Sequence, residues 1–237
     1  MKPSEPSKPI VVKIGGTALA AGDTSLEDIA ALHREAVPLV VVHGGGKVIS
    51  QWMERTGARP QFVRGLRVTD APTLEVVVAV LAGLVNKQLV AALQAQGARA
   101  LGLSGADGGL LMARRQSPEL GLVGEVLRVD PTPVLDALGH GYLPVVAPLA
   151  LSCDQELPQG TFLNINGDTA AGHLARALVA GRLIFLTDVE GVMDASRRVL
   201  PRLLPAQARP LIDSGVVAGG MIPKVEACLL AFPAVPY

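Results

Sequence analysis

The sequence has few aromatic residues, few charged residues and only two cysteines. Aromatic residues occupy 3% and charged residues 18% of its 237 positions, whereas 49% are hydrophobic and the mean hydropathy is +0.40. This composition excludes an intrinsically disordered chain, and it predicts a core built from Ala, Val, Leu and Ile. The 21 basic residues balance the 21 acidic ones, so the basic excess typical of nucleic-acid binding is lacking.

The two cysteines, Cys153 and Cys228, belong to no CxxC pair and have no histidine at metal-site spacing. This pattern argues against a disulfide framework or a zinc site and favours a reducing compartment. Lys13 interrupts the apolar stretch that a signal peptide needs. The longest apolar run, Val76 to Val85, is shorter than the roughly 20 residues that cross a bilayer. We therefore predict a cytoplasmic protein with no membrane partner.

Short β-branched runs that end in glycines, each followed by a helical pattern, begin the folded part of the chain. Ile10 to Ile14 runs into Gly15 and Gly16, and Leu39 to Val42 is followed by His43 and three glycines. This rhythm is typical of parallel β/α units with helices on both faces of the sheet. We predict an α/β fold, a three-layer αβα sandwich around a mainly parallel open sheet.

The rest of the pattern divides the chain into three predicted parts. These are a flexible tail over residues 1–9, which contain three prolines, an N-terminal lobe over residues 10–149 and a C-terminal lobe over residues 150–237. In the N-terminal lobe we predict a long buried helix over residues 71–96, kinked near Gly83, and antiparallel hairpins over residues 110–129.

The two glycine-rich strand ends are candidate phosphate sites. Lys13 precedes Gly15 and Gly16 at the end of the first strand, and a triple glycine at 44–46 ends the second. Ligands of open α/β sheets bind at the carboxyl ends of strands, and glycine lets main-chain N–H groups approach a phosphate. A lysine on an edge strand beside an ordinary tight turn is an equally open interpretation. For His43, a hydrogen-bonded core histidine is the favoured interpretation.

Three more segments carry polar candidates, each with a purely structural alternative. Arg67 could hold a carboxylate with its planar guanidinium, or form a surface salt bridge. Asn164 and Asn166 share one strand face, and Asp168 follows at a helix start, where it could simply be the N-cap. Lys224 lies at the start of a late helix, where a lone lysine normally faces solvent.

Together these residues suit phosphoryl transfer. They provide glycine-rich anion sites, two lysines, one Asp and one Arg, without a Ser–His or Cys–His nucleophile pair. Phosphoryl transfer depends mainly on positioning and on neutralisation of charge. A carboxylate acceptor is already ionised near neutral pH, so no general base is required.

The same segments resemble the amino-acid kinase family. The match runs in order through VVKIGG, VVHGGG, GLRVTD, NKQLVAAL, GLSGADGGL, GYLPVV, NINGDTAAG, LTDVEGVMD and GGMIPKVEA, and it covers nearly all of residues 10–231. GLRVTD, NxNxDTAA and GMIPKVEA in this order point to the branch that acts on N-acetyl-L-glutamate. The resemblance implies the amino-acid kinase fold and ATP-dependent phosphorylation of the side-chain carboxylate of N-acetyl-L-glutamate, in arginine biosynthesis.

The resemblance also implies a role for each candidate residue. Lys13 and Lys224 would stabilise the transferring phosphoryl group, and Asp168 would orient both lysines. The substrate-binding residues would be Gly45, Gly46, Arg67, Asn164 and Asn166. The nucleotide-binding residues would be Gly15, Gly16, Gly44, Thr187, Asp188, Gly191, Val192 and Met193. Mg²⁺ would be carried on the phosphates of ATP, with no protein ligand.

Two departures from the resemblance concern Gly167, where relatives commonly carry Ala, and the C-terminal lobe. Relatives continue beyond the Lys224 helix with closing strands, so this lobe is expected to be short at its C-terminus.

Two alternative functions stay open. One is a kinase for carrier-bound aminoadipate in lysine biosynthesis, and the other is a non-catalytic ligand-binding remnant. Arginine-inhibited relatives form hexamers through an N-terminal helix, which the prolines of residues 1–9 forbid. We therefore expect a homodimer through the long apolar helix, without arginine inhibition.

Overall fold

The computed structural model of the chain describes residues 7–15 and 24–232. Its strands are β1 (Ile10–Ile14), β2 (Leu39–His43), β3 (Phe62–Val63), β4 (Leu66–Arg67), β5 (Ala100–Ser104), β6 (Leu111–Arg115), β7 (Gly124–Val129), β8 (Leu143–Ala147), β9 (Leu149–Ser152), β10 (Phe162–Asn164) and β11 (Arg182–Leu186). Its α-helices are α1 (Ser25–Arg34), α2 (Gly46–Arg55), α3 (Ala71–Val78), α4 (Asn86–Ala95), α5 (Thr132–Gly139), α6 (Gly167–Ala177), α7 (Pro205–Asp213) and α8 (Met221–Ala231). Of the predicted tail, residues 1–6 lie outside the described residues, and residues 7–9 precede β1 without regular structure.

Five parallel strands form the central sheet, in the order β11–β1–β2–β8–β5. Every residue of β2 and β8 is buried, because helices cover both faces of a parallel sheet. The parallel β/α rhythm predicted from the glycine-ended runs is confirmed. Lys13 lies in β1, which has a neighbouring strand on each side, so the interpretation of Lys13 as an edge-strand residue is wrong.

The two faces of the central sheet carry different helices. Val12 and Ile14 pack in one hydrophobic cluster with α1, α2 and the long helix, whereas Val11 packs on the opposite face with α6 and a smaller sheet. Since side chains alternate along a strand, Lys13 points to the same face as Val11, toward α6. The predicted α/β fold with helices on both faces is confirmed.

The predicted long helix is continuous from Ala71 to Ala95. Asp70 caps its start by accepting a hydrogen bond from the Thr73 backbone N–H at 2.9 Å. Beyond its end, Gly97 takes a φ of +84°, the left-handed conformation that commonly follows a helix. The turns Ala79–Val85 are π-helical and include the predicted kink position.

This helix is long and apolar enough, by length and composition, to cross a membrane. One side of it packs in the core, where Leu89 and Leu93 are buried in the part of the helix that contacts β5 and β8, and Val80 is buried in the same hydrophobic cluster. Packing against the sheet therefore accounts for the apolar residues on that side, as in the core helix of a globular domain.

The segment between β5 and α5 contains the predicted hairpin. Strands β6 and β7 pair antiparallel and belong to a four-stranded sheet with the order β10–β9–β6–β7. This sheet holds β10, which carries Asn164, beside β9. The predicted lobe boundary between residues 149 and 150 falls inside β9, and the division into two lobes stays a prediction.

Candidate active site

Three charged side chains meet where β1, α6 and α8 approach one another. The Lys13 Nζ lies 2.8 Å from the Asp168 Oδ1, and the Lys224 Nζ donates to the Asp168 Oδ2 at 3.0 Å. The contact between Lys13 and Asp168 is an ion pair whose angles do not fit a hydrogen bond. Asp168 Oδ1 therefore has no hydrogen-bond donor among the described residues. Lys13 and Asp168 are buried and Lys224 is half-buried. Because one carboxylate faces two ammonium groups, the cluster keeps a positive charge that attracts anions.

Local backbone chemistry places Asp168 in the first turn of α6. The Asn166 Oδ1 accepts two backbone N–H groups, at 2.9 and 3.1 Å, so Asn166 is the N-cap of this helix. The interpretation of Asp168 as a simple N-cap is therefore wrong. A Cβ at Gly167 would lie 3.3 Å from the His43 O and 3.5 Å from the Lys13 Cε. Glycine thus lets the helix start approach β1 and β2 closely.

A cavity of about 210 Å³ opens on the Lys13 side of the three charges, and we call it the smaller cavity. The predicted residues that line it are Lys13, Gly44, Gly46, Arg67, Asn164, Asn166 and Asp168. Gly45 packs behind the lining, where a Cβ would lie 2.5 Å from the Leu81 Cδ2. The smaller cavity therefore collects four of the five predicted substrate-binding residues.

Arg67 is buried beside the smaller cavity, and no described carboxylate forms an ion pair with it. Its Nη2 donates to the Gly46 O and to the Ser50 Oγ, both at 2.8 Å, and its guanidinium lies 4.8 Å from the centre of the Phe62 ring. Burial lowers the pKa of Arg67 from its usual value. The surface salt-bridge interpretation is wrong, and a bound carboxylate would supply the missing counter-charge.

His43 is a buried and hydrogen-bonded histidine behind the glycine loop, as its favoured interpretation predicts. Its Nδ1 lies 2.8 Å from the Gly44 O, an acceptor, and its Nε2 lies 3.2 Å from the Asn86 Nδ2, a donor. These partners assign the proton to Nδ1. Burial is the main cause that lowers the pKa of His43 to about 4, with two nearby lysines adding to the effect and the Gly44 hydrogen bond opposing it. The neutral ring anchors the glycine loop.

The glycine loops offer fewer amide donors than expected. The N–H of Gly15 donates to the Leu186 O at 3.2 Å, and the N–H of Gly44 donates to the Ile14 O at 2.9 Å. Their predicted role as phosphate-binding amides is corrected accordingly, because both donors belong to the strand ends. The first N–H groups of α2, from Gly46 onward, have no acceptor within their helix and favour an anion. Gly16 lies outside the described residues.

A second cavity, of about 640 Å³, opens on the Lys224 side, and we call it the larger cavity. The predicted nucleotide residues that line it are Gly15, Thr187, Gly191 and Val192, together with the catalytic candidate Lys224. Gly44 lines the smaller cavity instead, whereas Asp188 and Met193 are not among the lining residues of either cavity. The small core beneath it contains the buried residues Ala208, Val217 and Val225.

Sequence reasoning assigned no role to Thr69 or Asn86, which the structure buries at the site. Thr69 stands two residues after Arg67, and period-two spacing in an extended segment puts both on one face. Asn86 directly follows the apolar run of the long helix, and a buried amide requires hydrogen-bond partners. It donates to the Val145 O at 2.8 Å as well as to His43.

The two cavities share a boundary formed by Lys13, Asp168 and Lys224. Molecules bound in the two cavities would meet at the two ammonium groups. A group that passes from one to the other and carries negative charge would be stabilised by charges already in place.

Residues 8–232 match the sequence model of the Amino acid kinase family. The acetylglutamate kinase of Methanopyrus kandleri is 47% identical over 234 residues, covering 94% of this chain and 90% of that protein. The acetylglutamate kinase of Cereibacter sphaeroides is 47% identical over 226 residues, covering 94% of this chain and 75% of that protein. The crystal structure of smu.665 from Streptococcus mutans is 32% identical with a TM-score of 0.84, covering 95% of this chain and 91% of that one.

A further solved structure is similar in fold alone. The N-acetylglutamate synthase from Neisseria gonorrhoeae, complexed with coenzyme A and N-acetyl-glutamate, gives a TM-score of 0.80 at 24% identity. The match covers 96% of this chain and 52% of that chain.

Proposed function

The chain belongs to the amino acid kinase family, and from that premise we propose that it phosphorylates the side-chain carboxylate of N-acetyl-L-glutamate with ATP. The products are N-acetyl-L-glutamyl 5-phosphate and ADP, in arginine biosynthesis. The observation that carries the proposal is the pair of cavities that meet at Lys13, Asp168 and Lys224. This pair of cavities occurs in a chain that is 47% identical to two acetylglutamate kinases.

We place N-acetyl-L-glutamate in the smaller cavity. Arg67 would hold its α-carboxylate, because this buried guanidinium lacks a described counter-charge and lines the cavity. Asn164 would contact the acetamide group. The side-chain carboxylate would then reach the Lys13 end of the cavity, beside the N-terminus of α2.

We place ATP in the larger cavity, where Thr187, Gly191 and Val192 line the pocket and Lys224 lies at its inner end. Mg²⁺ would reach the site on the phosphates of the nucleotide. Asp168 does not fit as a metal ligand, because both of its oxygens face ammonium groups. Within residues 7–15 and 24–232 no group of three or more His, Cys, Asp or Glu residues could hold a metal ion.

The residues would act mainly by position and charge. An oxygen of the acceptor carboxylate attacks the γ-phosphorus, and the bond from this phosphorus to the ADP oxygen breaks. Lys13 and Lys224 stabilise the negative charge on the transferring group, and Asp168 keeps the two ammonium groups in place. The acceptor is ionised before it binds, so no side chain has to remove a proton.

We expect a homodimer formed through the long helix. Val78 and Ala82, which are partly buried against the core, line a cavity of about 450 Å³ beside this helix, together with Phe162, which is 37% exposed. A second copy of the chain would cover this apolar face. Light scattering tests the dimer, and activity with and without millimolar arginine tests the expected lack of inhibition. A hexamer would contradict the first expectation, and activity that falls with arginine would contradict the second. A cytoplasmic location stays a prediction.

Coupled assays of ADP release test the reaction. We expect ADP release that depends on N-acetyl-L-glutamate and is at least about tenfold weaker with glutamate or aspartate at equal concentration. Protein carrying Lys13→Ala, purified in the same way, controls for contaminating kinases. Turnover of carrier-linked aminoadipate alone would favour the lysine-biosynthesis alternative, and failure with every acceptor would favour a non-catalytic protein.

A further inference from the structure

Thr69 lies fully buried between two residues of the smaller cavity, Arg67 and Asn164. Its hydroxyl donates to the Arg67 O at 3.0 Å. The same oxygen accepts a hydrogen bond from the Asn164 Nδ2 at 3.1 Å. Thr69 therefore connects the backbone of the guanidinium residue with the side chain of the amide residue.

A threonine hydroxyl has a single proton, and this decides which way the Asn164 amide faces. Because the proton is used on the Arg67 O, the Thr69 Oγ1 can only accept from Asn164. The amide atom beside Thr69 must then be the NH₂ group, whereas an amide with the opposite orientation would place two acceptors against each other. The hydrogen-bond chain thus settles an orientation that carbon, nitrogen and oxygen positions alone leave ambiguous.

The backbone around Thr69 holds this arrangement in place. The Thr69 N–H donates to the Leu120 O at 3.0 Å, and the Thr69 O accepts from the Leu122 N–H at 2.6 Å. The Leu122 O in turn accepts from the Asn164 N–H at 2.9 Å. Gly121, at φ +67°, makes the close approach possible, because a Cβ there would lie 2.5 Å from the Thr69 O.

With its NH₂ group held by Thr69, Asn164 presents its carbonyl oxygen to the smaller cavity that it lines. The ligand atom opposite this oxygen must be a hydrogen-bond donor. A free ammonium would add a third positive charge beside Lys13 and Arg67, where Asp168 is the one carboxylate among the lining residues. A neutral amide N–H meets both requirements.

We propose that Thr69 is a positioning residue that sets the polarity of the Asn164 amide, and that the cavity thereby selects acceptors whose α-nitrogen is an acylated N–H. This inference rests on the proposed function for the identity of the acceptor. It also predicts that an ester oxygen in place of that N–H is rejected, because it would face the Asn164 Oδ1 as a second acceptor.

The test compares N-acetyl-L-glutamate with the O-acetyl ester of 2-hydroxyglutarate, which differs from it by the N–H. For the wild-type protein we expect the amide to bind at least about tenfold more tightly in calorimetry and to have the lower KM. In Thr69→Val, which is similar in size but lacks the hydroxyl, this ratio should fall to within about threefold. The KM for ATP should change by less than about twofold.

Two control variants separate positioning from a general loss of structure. Thr69→Ser keeps the hydroxyl and should keep the amide-to-ester ratio. Thr73→Val removes the hydroxyl of a nearby buried threonine that lies outside the lining of the smaller cavity and donates to Asp70 through its backbone N–H, and it should also keep the ratio. Should Thr69→Val fail to fold, Asn164→Leu removes the acceptor itself and should bring the ratio close to one.

A wild-type ratio near one, or an undiminished ratio in Thr69→Val, would overturn the role of Thr69. Wild-type protein that binds the amide selectively without turning it over would instead contradict the proposed function and support the selection by Thr69 and Asn164. Binding and turnover thus test the two proposals separately.

Discussion

The two cavities that meet at Asp168 are built in different ways. The smaller one, of about 210 Å³, is lined by the buried guanidinium of Arg67 and by the side-chain amides of Asn164 and Asn166. Each of these three groups is held by a hydrogen bond to another residue of the protein. The larger one, of about 640 Å³, is lined largely by apolar side chains from α7, α8 and the loop after β11. The small core beneath it contains three buried residues, Ala208, Val217 and Val225.

This difference indicates how each cavity recognises its ligand. Polar groups that are already held in position select a small acceptor by its charges and hydrogen bonds at little cost in ordering. An apolar cleft over a small core recognises a large ligand by shape, with a few polar contacts for orientation. Elements with few buried apolar contacts also open locally at lower free energy. Substitutions on the two sides should therefore affect different substrates.

The largest expected effect comes from removing the shared boundary. Lys13→Ala or Lys224→Ala should lower kcat by at least about a hundredfold, because each ammonium group stabilises charge that develops in the transition state. The KM values of both substrates should move less. Steady-state kinetics of both variants check this, with Lys8→Ala as a control at an exposed lysine before β1. A kcat near that of the wild type in either variant would remove that lysine from the catalytic role.

A smaller effect, confined to one substrate, should separate the two cavities. Arg67→Ala should raise the KM for N-acetyl-L-glutamate at least about tenfold with little change in the KM for ATP, because the guanidinium binds a carboxylate present in ground and transition states alike. Val192→Glu, in the larger cavity, should do the reverse by repelling the phosphates. Arg55→Ala, at an arginine stacked on the exposed Trp52 ring, serves as the control. A rise in the KM for ATP in Arg67→Ala would mean that the substrates are assigned to the wrong cavities.

The sequence predicted the elements of the fold better than the contacts of the site. Hydrophobic pattern and glycine placement identify β1, β2, the long helix and the β6–β7 hairpin, because these signals are local. The meeting of Lys13, Asp168 and Lys224 depends on three elements far apart in the chain, and only the family resemblance indicated it. No local pattern distinguishes Asn166 from Asp168 as the N-cap, since both residue types cap helices well.

The remaining differences between the predictions from sequence and the observed structure come from hydrogen bonds. Gly15 and Gly44 have the composition of phosphate-binding loops, yet the strand pairing of the sheet uses their N–H groups. The π-helical turns of Ala79–Val85 leave no signature in the apolar pattern. Contacts of this kind depend on which strands become neighbours, and a single sequence read locally does not contain that information.

The smallest effect on activity, and a distinct effect on stability, should come from His43 behind the smaller cavity. Burial lowers the pKa of His43 to about 4, whereas a histidine in the unfolded chain titrates near 6.5. Between these values the unfolded state binds more protons than the folded state, so the free energy of unfolding falls as the pH decreases from about 6.5 toward about 4. Between pH 7 and pH 5 His43 alone should account for a loss of about 2 kcal/mol.

Urea unfolding at pH 7 and pH 5, for the wild-type protein and for His43→Gln, measures this contribution. Burial also lowers the pKa values of His33 and His173, and both residues remain in the variant, so the difference between the two proteins isolates His43. The variant should be less stable at pH 7, because the ring bonds to Gly44 and Asn86 are lost or weakened. Its stability should nevertheless fall less steeply with decreasing pH than that of the wild type. Equal slopes would show that His43 takes up its proton over the same pH range in the folded and unfolded states, and the hydrogen bond from Asn86 to its Nε2 would then be lost by pH 5.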